Sequence, residues 1–132
     1  MPREVVVSDQ VVAPIGAYSP ATRAGDLLFV SGHVGWDLHG NVAGDGGIED
    51  QTRQTFRNIA SILESAGGSL DDVVKVTIYL TDPLDYPVMD RVRREFFPED
   101  APASSAFVVK RLIPPDLSVE IEAVAVIDRN DR

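Results

Sequence analysis

Residues 48–82 read IEDQTRQTFRNIASILESAGGSLDDVVKVTIYLTD. In the first half Phe56, Ile59, Ala60, Ile62, Leu63 and Ala66 recur at helical spacing and share one face. Gly67 and Gly68 then supply a stop, so the spacing predicts a helix over 48–66. From residue 73 the period changes to two. Val74, Val76, Ile78 and Leu80 alternate with Lys75, Thr77 and Tyr79, which predicts a strand over 73–80. A helix and a strand joined by so short a break must pack on each other, and the rest of the chain is laid on this unit.

Working outward, residues 86–97 predict a second helix. Asp85 is its candidate N-cap, Pro87 suits its first turn, Val88, Val92 and Phe96 form its apolar stripe, and Pro98 closes it. Strands are expected over 105–112 and 118–127, with the Pro-rich turn 113–116 between them. Upstream, 4–7 and 27–32 read as strands, the latter preceded by a Gly25-Asp26 turn. Residues 12–24 hold Pro14, Gly16 and Pro20 and read as a structured loop, and the glycine-rich 37–47 as a second loop. The expected order is β-β-α-β-α-β-β in a single domain over 1–132. That is an α+β fold, a mostly antiparallel sheet with two helices on one face. The last strand is apolar on both sides: Val119, Ile121, Ala123, Ala125 and Ile127 alternate with Glu120, Glu122, Val124 and Val126. Two layers cover only one side, so self-association through the sheet is expected.

The chain has 132 residues, 44% hydrophobic and 25% charged, and no cysteine. That length and composition suit one globular domain. Disulfides, thiolate catalysis and cysteine-ligated zinc are excluded. No apolar run is long enough to span a bilayer, and the expected location is the cytoplasm. A net charge of -9 opposes binding of nucleic acid, whose affinity rests on neutralised phosphates. Arg91, Arg93 and Arg94 read as a solvated helix face, with a local anion patch as the other reading.

Few residues carry the vocabulary of catalysis. Glu120 and Glu122 share one strand face, and a carboxylate beside a buried interface is either paired with a basic residue or functional. His33, Asp37 and His39 lie close together, but their spacing is not helical and no second cluster completes a metal set. His33 alone is a candidate cleft-lining residue or a satisfied structural histidine. The stretch 44–47, GDGG, lacks the phosphate-loop pattern, and acidic neighbours would repel a phosphate there. No serine sits in a GxSxG elbow.

Four stretches in order resemble the Rid/YjgF family of imine and enamine deaminases. They are APIGAYSPA (13–21), LFVSG (28–32), NIASILESAGGSLDDVVKVTIYLTD (58–82) and VEIEAVAV (119–126). The resemblance implies a chorismate-mutase-like fold, a homotrimer whose sheets face inward as a barrel, and small-molecule clefts between subunits. It implies hydrolysis of small imines with no cofactor or metal. By position, Tyr18 matches the family tyrosine that closes over the ligand, Gly32 the glycine bordering the cleft, and Glu120 the glutamate that positions water. Asp90 falls where deaminase members carry asparagine, Ala106 where they carry cysteine, and Ser104 on the arginine that clamps the substrate carboxylate. A guanidinium forms two parallel charge-assisted bonds to a carboxylate, whereas serine offers one neutral donor. With Asp90 and Glu120 present, the expected pocket is acidic and suits a neutral or cationic ligand better than a 2-imino acid, unless an arginine arrives from another segment or a neighbouring subunit. Two readings remain: a deaminase with altered substrate, and a trimer that binds a metabolite without turnover. Ribonuclease activity, sometimes ascribed to the family, fits poorly with the charge.

Overall fold

The computed structural model describes residues 2–128. Its elements are β1 (Glu4–Val6), β2 (Ala21–Ala24), β3 (Leu27–Val34), α1 (Ile48–Ser65), β4 (Val73–Leu80), α2 (Tyr86–Phe96), β5 (Ala103–Val108) and β6 (Val119–Val126). They form one six-stranded mixed sheet in the order β1-β2-β3-β6-β4-β5. Only the β4–β5 pair is parallel.

The expected helices and strands are present, with one strand more. Residues 21–24 were expected to be loop and instead form β2, paired with both β1 and β3. Arg23 explains why so short and polar a segment holds. Its side chain is buried and donates to the carbonyls of Gly25 (2.9 Å), Ala66 (3.0 Å) and Ile127 (2.7 Å). It thereby ties the β2–β3 hairpin to the end of α1 and the end of β6, using oxygens that would otherwise be left unpaired. Gly25 makes the hairpin possible with φ of +62°.

The connection between the last two strands also differs. β5 stops at Val108 and pairs with β4, while β6 lies between β3 and β4. Residues 109–118 are therefore a crossover and not a hairpin turn. Leu112 and Leu117 of that crossover are buried against Val34, with Trp36 and Tyr79 beside them. Within β4 a register shift between Val73 and Lys75 puts Val73 on the buried side and leaves Val74 exposed.

Both helices cover one face. Phe56, Ile59, Ile62 and Leu63 of α1 and Met89 of α2 pack with Leu28, Val30, Val76, Ile78, Leu80, Ile121 and Ala123. Each such side chain contributes about 1.5–3 kcal/mol on leaving water. Phe56 meets Phe96 and Phe97 at 5.2 and 5.6 Å between ring centres, which joins the helices. α1 ends as expected: Gly67 has φ of +84° and Gly68 N–H donates to the Leu63 carbonyl. Asp85 makes no capping bond. Asp82 does, accepting from Leu84 N–H to start a 3-10 turn, Pro83–Asp85, that leads into α2.

The opposite face stays open. Leu27, Phe29, Phe107 and Val126 are 42% to 52% exposed there. No helix among the described residues is long and apolar enough to cross a membrane.

Candidate functional site

Alternation along β6 sends Glu120 to the open face, opposite Val34 of β3 and Tyr79 of β4. β3 carries a bulge here, with Ser31 and Gly32 inserted between the pairs Val30–Ala123 and His33–Ile121. The carboxylate of Glu120 lies directly on the bulge. A Cβ at position 32 would stand 2.5 Å from Glu120 Oε2, so only glycine leaves room for it. Tyr18, Ile15, Trp36, Ile113 and Pro114 wall a cleft of about 480 Å³ above Gly32 and Glu120.

The two glutamates of β6 have separate fates. Glu122 accepts a hydrogen bond from the Tyr79 hydroxyl at 2.7 Å. Glu120 has no ion-pair partner among the described residues, and burial followed by the charge of Glu122 pushes its carboxyl above the usual carboxylate range. Such a group sits nearer neutrality in its proton affinity than an ordinary surface glutamate. Ser31 also lines the cleft and was not found from sequence; its hydroxyl donates to the Ser19 carbonyl at 2.6 Å and anchors the loop that carries Tyr18.

His33 stands behind Gly32, in a small cavity that shares Tyr18 and Gly32 with the cleft. The bulge turns it toward the side covered by α1. There its Nε2 lies 3.2 Å from the Pro20 carbonyl, and burial holds its pKa below the ordinary value. A neutral ring donating to that oxygen is the satisfied structural histidine. It lines a small cavity of about 40 Å³ adjoining the cleft, together with Tyr18 and Asn58. Asn58 fixes the strand exit by donating to the Val34 and Trp36 carbonyls at 3.0 and 2.9 Å. Asp37 closes its own loop, accepting from the backbone of His39 and Asn41. No group of three or more metal-ligating side chains occurs among the described residues.

Asp90, Ser104 and Ala106 lie elsewhere. Ser104 pairs with Val76 and Ala106 with Ile78, so both point to the helix side of the sheet. Ser104 borders a second pocket of about 190 Å³ between α2 and β5, lined also by Asp90, Arg93 and Arg94. Ala106 is exposed two residues further along β5. The surprise is Arg93, which was expected on a solvated face and has a side chain only 12% exposed. It donates to Asp90 Oδ1 through Nε (3.1 Å) and Nη2 (2.7 Å), to the Tyr86 hydroxyl (3.0 Å) and to Ser104 Oγ (2.8 Å). Arg94 binds Asp90 Oδ2 at 2.9 Å. The two guanidiniums hold the Asp90 carboxyl below its usual range. The expectation of an acidic pocket therefore fails at Ser104: one carboxylate meets two arginines, and the local balance is positive. The available signal was Asp90 with basic residues three and four positions on, the spacing of helical ion pairs.

One chain thus holds two separate clusters, Glu120 with Tyr18 and Gly32 on the open face, and Ser104 with Asp90 and Arg93 on the covered face. Residues 8–127 match the family model described as Endoribonuclease L-PSP. The chain belongs to this family, Rid/YjgF. It is 39% identical over 125 residues to the 3-aminoacrylate deaminase RutC of Acinetobacter baylyi, covering 95% of this chain and 98% of that one. It is 35% identical over 127 residues to a 2-iminobutanoate/2-iminopropanoate deaminase of Dermatophagoides farinae, covering 96% and 98%. The crystal structure of RidA from an Antarctic Psychrobacter superposes with a TM-score of 0.88 at 36% identity, over 94% of this chain and 99% of that one. Within the Rid/YjgF frame the fold is as expected from the resemblance, an α+β sheet with two helices. At Ser104 the neighbouring guanidinium is that of Arg93, from α2.

Proposed function

We propose that this protein is a cofactor-free deaminase that hydrolyses a small imine or enamine in clefts completed by a second copy of the chain. Two named relatives are deaminases of such compounds. The observation that carries the reading is Glu120 seated on Gly32 in a largely apolar cleft, with its proton affinity raised by burial. The chemistry needs a base that is not already neutralised by a salt bridge. Water between Glu120 and the C=N carbon gives one proton to the carboxylate as its oxygen bonds to carbon and the π electrons move to nitrogen. Glu120 returns that proton to nitrogen, the C–N bond breaks and ammonia leaves. The carbinol oxygen passes its own proton to the departing nitrogen as the carbonyl forms, which supplies the third hydrogen of ammonia.

Assembly supports the reading. Leu27, Phe29, Phe107 and Val126 spread across the open face, which is the kind of contiguous apolar surface that a partner covers. A second copy packed there, as in the homotrimer that the family resemblance implies, would bring a Ser104 half-site to a Glu120 half-site. The charge of -9 disfavours the endoribonuclease activity after which the family model is named.

The test is ammonia release from 2-iminopropanoate by the native protein and by Glu120→Gln. The expected loss in kcat is about 10²–10⁴-fold, the usual scale for a general base. Equal rates in the two proteins would remove Glu120 from the mechanism. No turnover by the native protein on carboxylate-bearing and neutral imines alike would leave the alternative, a metabolite-binding module.

A further inference from the structure

We propose that Glu122, held by the Tyr79 hydroxyl, is a positioning residue for Glu120: it draws off the phenol that stands in register with Glu120, and so leaves Glu120 free to take a proton from water. The inference rests on the reading that Glu120 is the base of the reaction, and it names what prepares that base.

Register is the first argument. Tyr79 of β4 lies opposite Glu120 of β6, whereas Glu122 lies opposite Thr77. Residues directly opposite on one sheet face are the usual partners. Tyr79 passes its own partner by and donates to Glu122 Oε1 at 2.7 Å. Its ring stacks on Phe107, with centres 6.3 Å apart and planes inclined by 29°, which holds this diagonal course. A hydroxyl bonded to Glu120 would instead occupy an acceptor site that the attacking water needs. Lys75, on the same face of β4, is committed to Ser105 Oγ at 2.8 Å.

Charge is the second argument. Glu120 and Glu122 share a face and stand about 7 Å apart along the strand. The Glu122 anion opposes a second negative charge on Glu120, and after burial it is the next cause of the raised proton affinity there. The bond to Glu122, followed by burial, also lifts the Tyr79 hydroxyl above the ordinary phenol range, so the donor keeps its proton. Among the described residues, the other elements around Glu120 bring no compensating charge. The loop before β2 contributes the Tyr18 phenol. His33 of β3 stands behind Gly32 with Nε2 on the Pro20 carbonyl. Arg111 of the crossover turns to the Leu112 carbonyl at 3.2 Å.

The experiment reads Glu120 directly. Glutamate labelled with carbon-13 at the side-chain carboxyl is titrated by NMR in the native protein, Glu122→Gln and Tyr79→Phe, and Glu120→Gln assigns the resonance. The pH profile of kcat/KM for 2-iminopropanoate is measured beside it. In Glu122→Gln the opposing charge is gone, so the Glu120 midpoint should move to lower pH and the acid limb of kcat/KM should move with it. A weaker base is a slower one, and kcat on the plateau should fall about two- to fivefold, against about 10²–10⁴-fold for Glu120→Gln. Tyr79→Phe keeps the stacked ring and removes only the donor. Glu122 then competes for the same proton, and the two carboxyl midpoints should draw together. This variant also covers the case of an unstable Glu122→Gln. A lowered Tm with the Glu120 midpoint unmoved in both variants would reduce the pair to a structural role and overturn the assignment. If Glu120→Gln were inactive in that case, the deaminase reading would stand. Moved midpoints with no imine turned over by the native protein would uphold the pairing and sink the deaminase reading.

Discussion

The two half-sites each contain a carboxylate, and their surroundings push those carboxylates in opposite directions. Asp90 accepts from two arginines and is held acidic. Glu120 sits against bare backbone in a cleft, near a second glutamate, and its carboxyl is pushed up. The first group is a fixed charge that orients a guanidinium. The second is the group that the proposed reaction uses as its proton acceptor. Pairs of titratable groups whose environments separate their pKa values are the usual mark of divided roles. Here the division follows strand parity: β6 turns Glu120 to the open face, and β5 turns Ser104 toward Asp90 and Arg93 on the covered one.

The comparison breaks most severely if the halves are kept apart. Phe29 stands on the open face opposite Val124. Phe29→Asp is expected to dissociate the assembly in sedimentation and to abolish ammonia release, because neither half-site suffices alone. A folded monomer with native activity would show that one half-site does all the chemistry. The next effect is local to the bulge. In Gly32→Ala the new Cβ would overlap Glu120 Oε2, so the carboxylate must move. Activity should fall about 10²-fold or more, since small misplacements of a reacting group have effects of that size. Circular dichroism should remain that of the native fold.

Stability against pH sharpens the contrast, and the signs differ. Glu120 has a raised folded-state pKa, so as an anion it destabilises the fold once pH rises through that value. Glu120→Gln should therefore raise Tm at pH 7, and the gain should vanish below about pH 4, where the unfolded carboxyl is also protonated. Asp90 has a lowered folded-state pKa, and its contribution is present above the unfolded pKa of about 3.9 and lost as pH falls through the lower folded value. Asp90→Asn should lower Tm at pH 7 and lower it less toward pH 2. Identical Tm profiles for the two variants would deny that the carboxylates play different parts.

The sequence was most legible where period and burial agree. The strand 73–80 and the helix beginning at residue 48 emerge where they were read, because each has a full apolar face. β2 was hidden because four residues with one apolar side carry no period, and because Arg23 is held by carbonyls from three distant segments. The end of β5 was misread because residues 109–112 stay apolar after leaving the sheet: Leu112 is used to cover Val34. Tyr18, Gly32 and Glu120, singled out from motifs, line one cleft. The local position of His33 depends on a backbone bulge that no side-chain pattern announces. Arg93 was missed for another reason. A basic residue three positions after an acid on a helix is usually a surface pair, and here the neighbouring edge strand covers much of the arginine side chain.

The smallest expected effect lies at Ser104. In Ser104→Ala, Arg93 loses one neutral acceptor, but Asp90 and Tyr86 still hold the guanidinium. Ser104 is exposed, so water can take the vacated bond, and stability should change by no more than about 0.5 kcal/mol in denaturant unfolding. A loss as large as that of Asp90→Asn would mean instead that the hydroxyl is needed to keep the guanidinium in place, and that Ser104, Arg93 and Asp90 act as one unit.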